Sequence, residues 1–159
     1  QTAYLEKQLM NCNKKWKIVT CHHSIFSPAK GRDFKFARSH WKPLLDHYNV
    51  DLVLNGHDHT YARGQVPIRM DEITKDNSLN TVYVTSVSGP KQYGLDPEQI
   101  KTYRKDGYQL DKSGEQAQFF QVINIIDDQL NYVAYTALGE EYDRFTIRKN
   151  FKTNQKTLH

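Results

Sequence analysis

Two cysteines in 159 residues leave no disulfide scaffold, and neither Cys12 nor Cys21 has zinc-ribbon spacing. Cys21 sits in an apolar run and reads as a small hydrophobe. There is no Asn-X-Ser/Thr sequon. No apolar stretch approaches the roughly 20 residues that span a bilayer, and nothing resembles a signal peptide. The chain opens on Gln1, within a stretch that already reads as helix. That fits an excised piece of a longer protein, so a missing leader carries no information on compartment. A basic stripe is also absent. Lys and Arg number 22 against 18 acidic residues, and they are scattered. The densest run (Arg144, Arg148, Lys149, Lys152) reads as solvated surface. Without aromatic-basic interleaving, the net charge of +4 does not argue for nucleic acid.

What is present suits a globular domain with a core: 38% hydrophobic, 25% charged and 12% aromatic residues. Leu5, Leu9 and Cys12 share one face of a helix over 3–13. WKIVTC (16–21) and VDLVLN (50–55) are short β-branched runs that predict buried strands. Between them Ala37, Trp41, Leu44, Leu45 and Tyr48 have helical spacing, with Pro43 forcing a start near Lys42 or a kink. GHDHTYARG reads as a Gly-bounded loop. TVYVTSVSG (81–89) is a third strand. Residues 89–117 look too polar for a core element, and predict a surface excursion near the site or a lid. FFQVINIIDDQLNYVAYTALGEEYDRFTIRK reads as three strands, turned at Asp127-Asp128 and broken at Gly139. The residues from 150 to 159 read as a polar, frayed tail.

Both early strands run into histidines: His22-His23 after the first, His57 and His59 after the second. In open α/β sheets this carboxyl edge is where ligands bind. Neutral imidazole ligates borderline divalent metals, and the i, i+2 spacing of Gly-His-Asp-His can turn two rings into one cavity. Gly56 is expected where backbone passes close to a metal or phosphate. A lone strand-end histidine is more often a hydrogen-bonded surface or core residue. Two such sites on successive strands make ligation the better reading.

The segments WKIVTCHHSIFS and VDLVLNGHDHTYARG resemble the last two signature motifs of the calcineurin-like metallophosphoesterases, and most of all their purple acid phosphatase branch. TVYVTSVSGPKQYG resembles that branch's following strand and glycine loop. The resemblance implies an α/β fold: the C-terminal half of a β-sandwich flanked by helices (αββα), ending in antiparallel hairpins. Residues 1–149 would be the C-terminal portion of that domain. It further implies that His22 and His57 bind one metal ion and His59 a second, the pair clamping a phosphoryl group. His23 would serve the phosphate or leaving group, or else pack beside the site. Arg32 and Arg63 would hold phosphate, and Asp58 would lie in support or on the surface. The family's other histidine pair is absent from SPAKGRDF, which leaves the general acid open.

The family's upstream Asp, Gly-Asp and Gly-Asn-His elements are not found; the chain contains no Gly-Asp or Gly-Asn dipeptide. Two adjacent dications need bridging carboxylates to offset their repulsion. The expectation is therefore a parent enzyme using two metal ions (Fe, Zn, Mn or Mg) on phosphate mono- or diesters. The chain alone would bind at most one ion weakly and be inactive. Its partners would be a phosphate ester and the missing N-terminal half, with bare sheet edges inviting self-association; no nucleic acid and no membrane span are expected. Compartment stays open, although the resembled branch is commonly secreted. The alternative is a non-catalytic binding module that keeps the fold.

Overall fold

The computed structural model describes residues 1–67 and 79–159. Helix α1 (Thr2–Met10) buries Leu9 and ends as the Asn11 side chain bonds the Lys7 carbonyl. Strand β1 (Ile18–Cys21) follows, then helices α2 (Lys35–His40) and α3 (Lys42–His47), then β2 (Leu52–Asn55). The break at Trp41 has the cause expected from Pro43. The proline falls in the first turn of α3, where no intrahelical donor is needed. Next come β3 (Tyr61–Pro67) and β4 (Leu79–Thr85), then α4 (Pro97–Tyr103), continued by a 3₁₀ turn at Arg104–Asp106. The chain closes with β5 (Gln109–Gly114), β6 (Phe119–Ile126), β7 (Gln129–Thr136), β8 (Glu141–Lys149) and β9 (Lys156–Leu158). Among the described residues no helix is long and apolar enough to cross a membrane.

The strands form a five-stranded sheet ordered β1-β2-β4-β3-β5 and a four-stranded antiparallel sheet ordered β6-β7-β8-β9. β1, β2 and β4 run parallel; β3 runs against both β4 and β5. One core lies between the sheets, with Leu52, Tyr61, Val82, Val84, Tyr132, Phe145 and Ile147. A second lies between the first sheet and the helices, with Leu9, Phe26, Ala37, Leu45, Val53, Tyr83 and Tyr103. β2 is buried on both faces, which its unbroken apolar run dictates. The outer face of the second sheet leaves Phe120, Val122 and Ile126 exposed.

Several expectations from the sequence need correction. β1 lies at an edge, pairs on one side among the described residues, and alternates exposed and half-buried positions. Residues 61–67 form a strand, because backbone pairing with β4 and β5 outweighs the polar Arg63 and Gln65. The 89–117 segment is partly core: Tyr103 and Tyr108 are buried around Phe26. The tail is not frayed at its end. β9 pairs with β8, and Lys156 is 1% exposed. Lys149, expected on the surface, is 4% exposed and ion-pairs with Asp51 at 2.9 Å.

Candidate metal and phosphate site

The parallel register of β1 and β2 places Cys21 opposite Asn55. The residues that follow therefore emerge side by side at the carboxyl edge of the sheet, and the Gly56 N–H donates to the His22 carbonyl at 3.0 Å. Asn55 fixes the turn. Its Nδ2 donates to the carbonyls of Cys21 (3.0 Å) and His23 (3.1 Å), and its Oδ1 accepts from the Ile25 N–H. Ser24 Oγ adds a bond to the Gly56 carbonyl. Gly56 is not sterically required here: a Cβ would meet His22 at 3.8 Å, an ordinary contact.

This scaffold brings His22, His23 and His57 together. His57 Nδ1 lies 3.2 Å from His22 Nε2. The His57 ring centroid is 5.0 Å from that of His22 and 4.3 Å from that of His23. His23 also rests against Phe34. Arg32 joins them: its Nη1 is 2.9 Å from His57 Nε2, and its Nη2 donates to the Tyr93 hydroxyl at 2.6 Å. Guanidinium can only donate, so His57 Nε2 accepts, and its proton sits on Nδ1, facing His22. Partial burial, with His23 and Arg32 nearby, lowers the His57 pKa against the opposing pull of Asp58, which favours the neutral form that ligates.

His59 stands apart from this cluster. Its Nδ1 bonds the Lys91 carbonyl at 2.8 Å and its ring packs on Tyr93 at 5.1 Å, so it reaches the cluster through Tyr93 and Arg32. A carbonyl can only accept, so the His59 proton is on Nδ1 and the Nε2 lone pair is free. Lys91 and Tyr93 had no signal of their own beyond lying in the glycine loop after β4. Both His57 (φ 69°) and His59 (φ 51°) occupy left-handed backbone, a strain that clusters at functional sites. Asp58 between them is 1% exposed rather than superficial, and among the described residues its Oδ2 has no hydrogen-bond partner. It lines a cleft of about 250 Å³ with His23, Arg32, Asp33 and His57.

Arg63 is not brought to this site. It donates through Nε and Nη2 to Asp143 (2.8 and 3.1 Å) and through Nη1 to Asp111 (2.9 Å), in a network that includes the Tyr61 hydroxyl. Two carboxylates already neutralise it, so its role is to tie β3 to β5 and β8. Among the described residues no group of three His, Cys, Asp or Glu is disposed to hold a metal ion. The donors fit one ion in part. Two nitrogens held by a single ion at about 2.05 Å and a tetrahedral angle lie about 3.3 Å apart, close to the 3.2 Å between His22 and His57.

Comparison with known proteins bears on the family pattern and the fold. Residues 3–61 match the family model of the calcineurin-like phosphoesterases. Among solved structures, purple acid phosphatase PPD1 from yellow lupin (Lupinus luteus) seeds superposes with a TM-score of 0.73 at 22% identity, covering 96% of this chain and 28% of that one. PhoD gives a TM-score of 0.62 at 10% identity, covering 99% of this chain and 34% of its own. No curated protein matches the sequence. Residues 3–61 thus carry the calcineurin-like phosphoesterase pattern. The fold of the chain as a whole matches that of a purple acid phosphatase, over about a third or less of the length of these relatives.

Proposed function

We propose that this chain carries one part of a dinuclear phosphoesterase site that hydrolyses phosphate mono- or diesters by metal-activated attack of water. The observation that supports it most is the 3.2 Å approach of His22 Nε2 to His57 Nδ1 at the ends of adjacent parallel strands. When bound there, a divalent ion supplies Lewis acidity and a water whose pKa falls toward neutrality.

The chain's own residues divide the remaining work. His22 and His57 offer two neutral nitrogens to one ion, and His59, fixed by the Lys91 carbonyl, offers Nε2 to a second. Arg32 opposes loading as it stands. While it donates to His57 Nε2, the proton stays on Nδ1, where the ligating lone pair is needed. For His57 to ligate, Arg32 must swing away, which frees its guanidinium for a phosphate oxygen while Tyr93 keeps hold of one end. His23, against His57 and Phe34, is placed to donate to phosphate or leaving group.

Three imidazoles bring no negative charge, so two adjacent dications lack the bridging carboxylate they need. We assign that carboxylate to an N-terminal half of the same domain, with residues 1–149 as the C-terminal portion. The chain alone then holds at most one ion weakly and does not turn over. Assays with a chromogenic phosphate ester and added Zn²⁺ or Mn²⁺ test this directly. The 159-residue chain is expected to be silent, and a polypeptide that also supplies the Asp, Gly-Asp and Gly-Asn-His elements to hydrolyse the ester and lose that activity with His57→Ala. Hydrolysis by the chain alone contradicts the division of the site. A metal-loaded longer polypeptide without activity favours a binding scaffold.

A further inference from the structure

At the opposite end of the parallel strands from the histidines lies an open cavity of about 650 Å³, bounded by the β8–β9 hairpin and its loop. Among the described residues its walls carry Arg148, Lys149, Lys152 and Lys156 against one acidic residue, Asp128; Asn150, whose Oδ1 accepts from the Lys152 and Thr153 N–H groups, and Thr157 also line it. Two of these cations form its floor. Lys149 and Lys156 are both nearly inaccessible, and both converge on Asp51, at 2.9 and 3.4 Å.

Among the described residues the charge beneath the floor does not balance. Asp51 carries one negative charge, and the backbone N–H of Lys17 already takes one of its oxygens at 2.7 Å. Lys156 Nζ turns to the Val50 carbonyl and Lys149 Nζ to the Lys15 carbonyl for further acceptors. Burial and the proximity of Lys149 and Lys17 push the Lys156 pKa down to about 8, the response of an ammonium short of counter-charge. On the rim, Arg148 and Lys152 are exposed, and among the described residues neither side chain has an ion-pair or hydrogen-bond partner. Two free cationic heads over an under-compensated buried cluster make a focused positive potential in a concave site.

We infer that this cavity is a second anion site, distinct from the histidine edge, that takes a compact phosphate-bearing anion of at least two negative charges. Arg148 binds it bidentately, Lys152 closes over it, and the buried pair supplies field without contact. Arg148 and Thr157 are directly paired across the β8–β9 ladder, so the two side chains share one face of the hairpin, where the Thr157 hydroxyl bonds His159 Nε2 at 2.9 Å.

The test uses the whole chain in metal-free buffer with chelator, and titrates inorganic pyrophosphate and, separately, sulfate by calorimetry at moderate salt. Saturable pyrophosphate binding is expected, weakened at least about tenfold in Arg148→Ala/Lys152→Ala and unchanged in His22→Ala/His57→Ala. Both rim residues are exposed, so their loss leaves the fold intact; circular dichroism verifies this. Three results overturn the proposal: no saturable binding, binding indifferent to the rim variant, or binding abolished by the histidine variant. Equal, non-saturable heats for sulfate and pyrophosphate that vanish with added salt would mark diffuse counter-ion accumulation, and also overturn it. The proposal stands or falls independently of the phosphoesterase reading, because the histidine variant removes that site.

Discussion

The two ends of strand β2 solve opposite problems with the same kinds of side chain. At its start Asp51 is wholly buried, and its carboxylate is met by the Lys17 N–H and by the ammonium groups of Lys149 and Lys156. These contacts pin β2 to β8 and β9, joining the two sheets. At its finish Asn55 and Gly56 lead into His57, Asp58 and His59, where two non-glycine residues hold left-handed backbone and a buried carboxylate oxygen has no partner among the described residues. The first end commits its buried polar groups to structure and leaves ligand contact to the exposed Arg148 and Lys152. The other holds strained backbone around a cleft lined by His57 and Asp58, which is what a ligand site requires.

The sharpest way to break this contrast is Asp51→Ala. It strands two buried ammonium groups, so unfolding free energy should fall by about 3–5 kcal/mol in denaturant titrations. A loss below about 1 kcal/mol would mean that the cluster is structurally idle. At the other end, Arg32→Ala removes the donor that holds the His57 proton on Nδ1. Affinity for a single Zn²⁺ should then rise by about tenfold; a fall would make Arg32 a supporter of the ligand rather than its competitor. The smallest effect is expected from His57→Gly. It relieves the positive φ while deleting a ligand, so stability should rise by about 0.5–1 kcal/mol as metal binding disappears. Destabilisation would show that the ring packs for structure.

The sequence makes the histidine edge legible because two apolar runs stop at it: Ile18–Cys21 and Leu52–Asn55 are both strands, and their parallel pairing follows from the helices between. The three terminal strands are legible for a related reason, since Asp127-Asp128 and Gly139 mark their turns. Other features carry weaker signals. β3 and β5 are held by backbone bonds that leave no apolar periodicity in YARGQVP or QLDKSG. α4 has a readable start, with Asp96 capping it and Pro97 in its first turn, inside an otherwise polar segment. Lys149 and Lys156 look like solvated residues and become core only because Asp51, about a hundred positions away, meets them. Arg63 follows the histidine motif closely in sequence, but strand geometry turns it into the inter-sheet network with Asp143. The separation of His59 from the other rings depends on the Lys91–Tyr93 loop, which nothing in Gly-His-Asp-His encodes.

The central claim is that His22 and His57 form a two-nitrogen seat for one ion. Zn²⁺ titration of the whole chain, followed through the imidazole nitrogens by NMR, tests it most directly. The account predicts one weak site, with His22 Nε2 and His57 Nδ1 as the nitrogens that shift and binding lost in either alanine variant. Retention of Zn²⁺ by His22→Ala or His57→Ala, or shifts confined to other histidines, would contradict it.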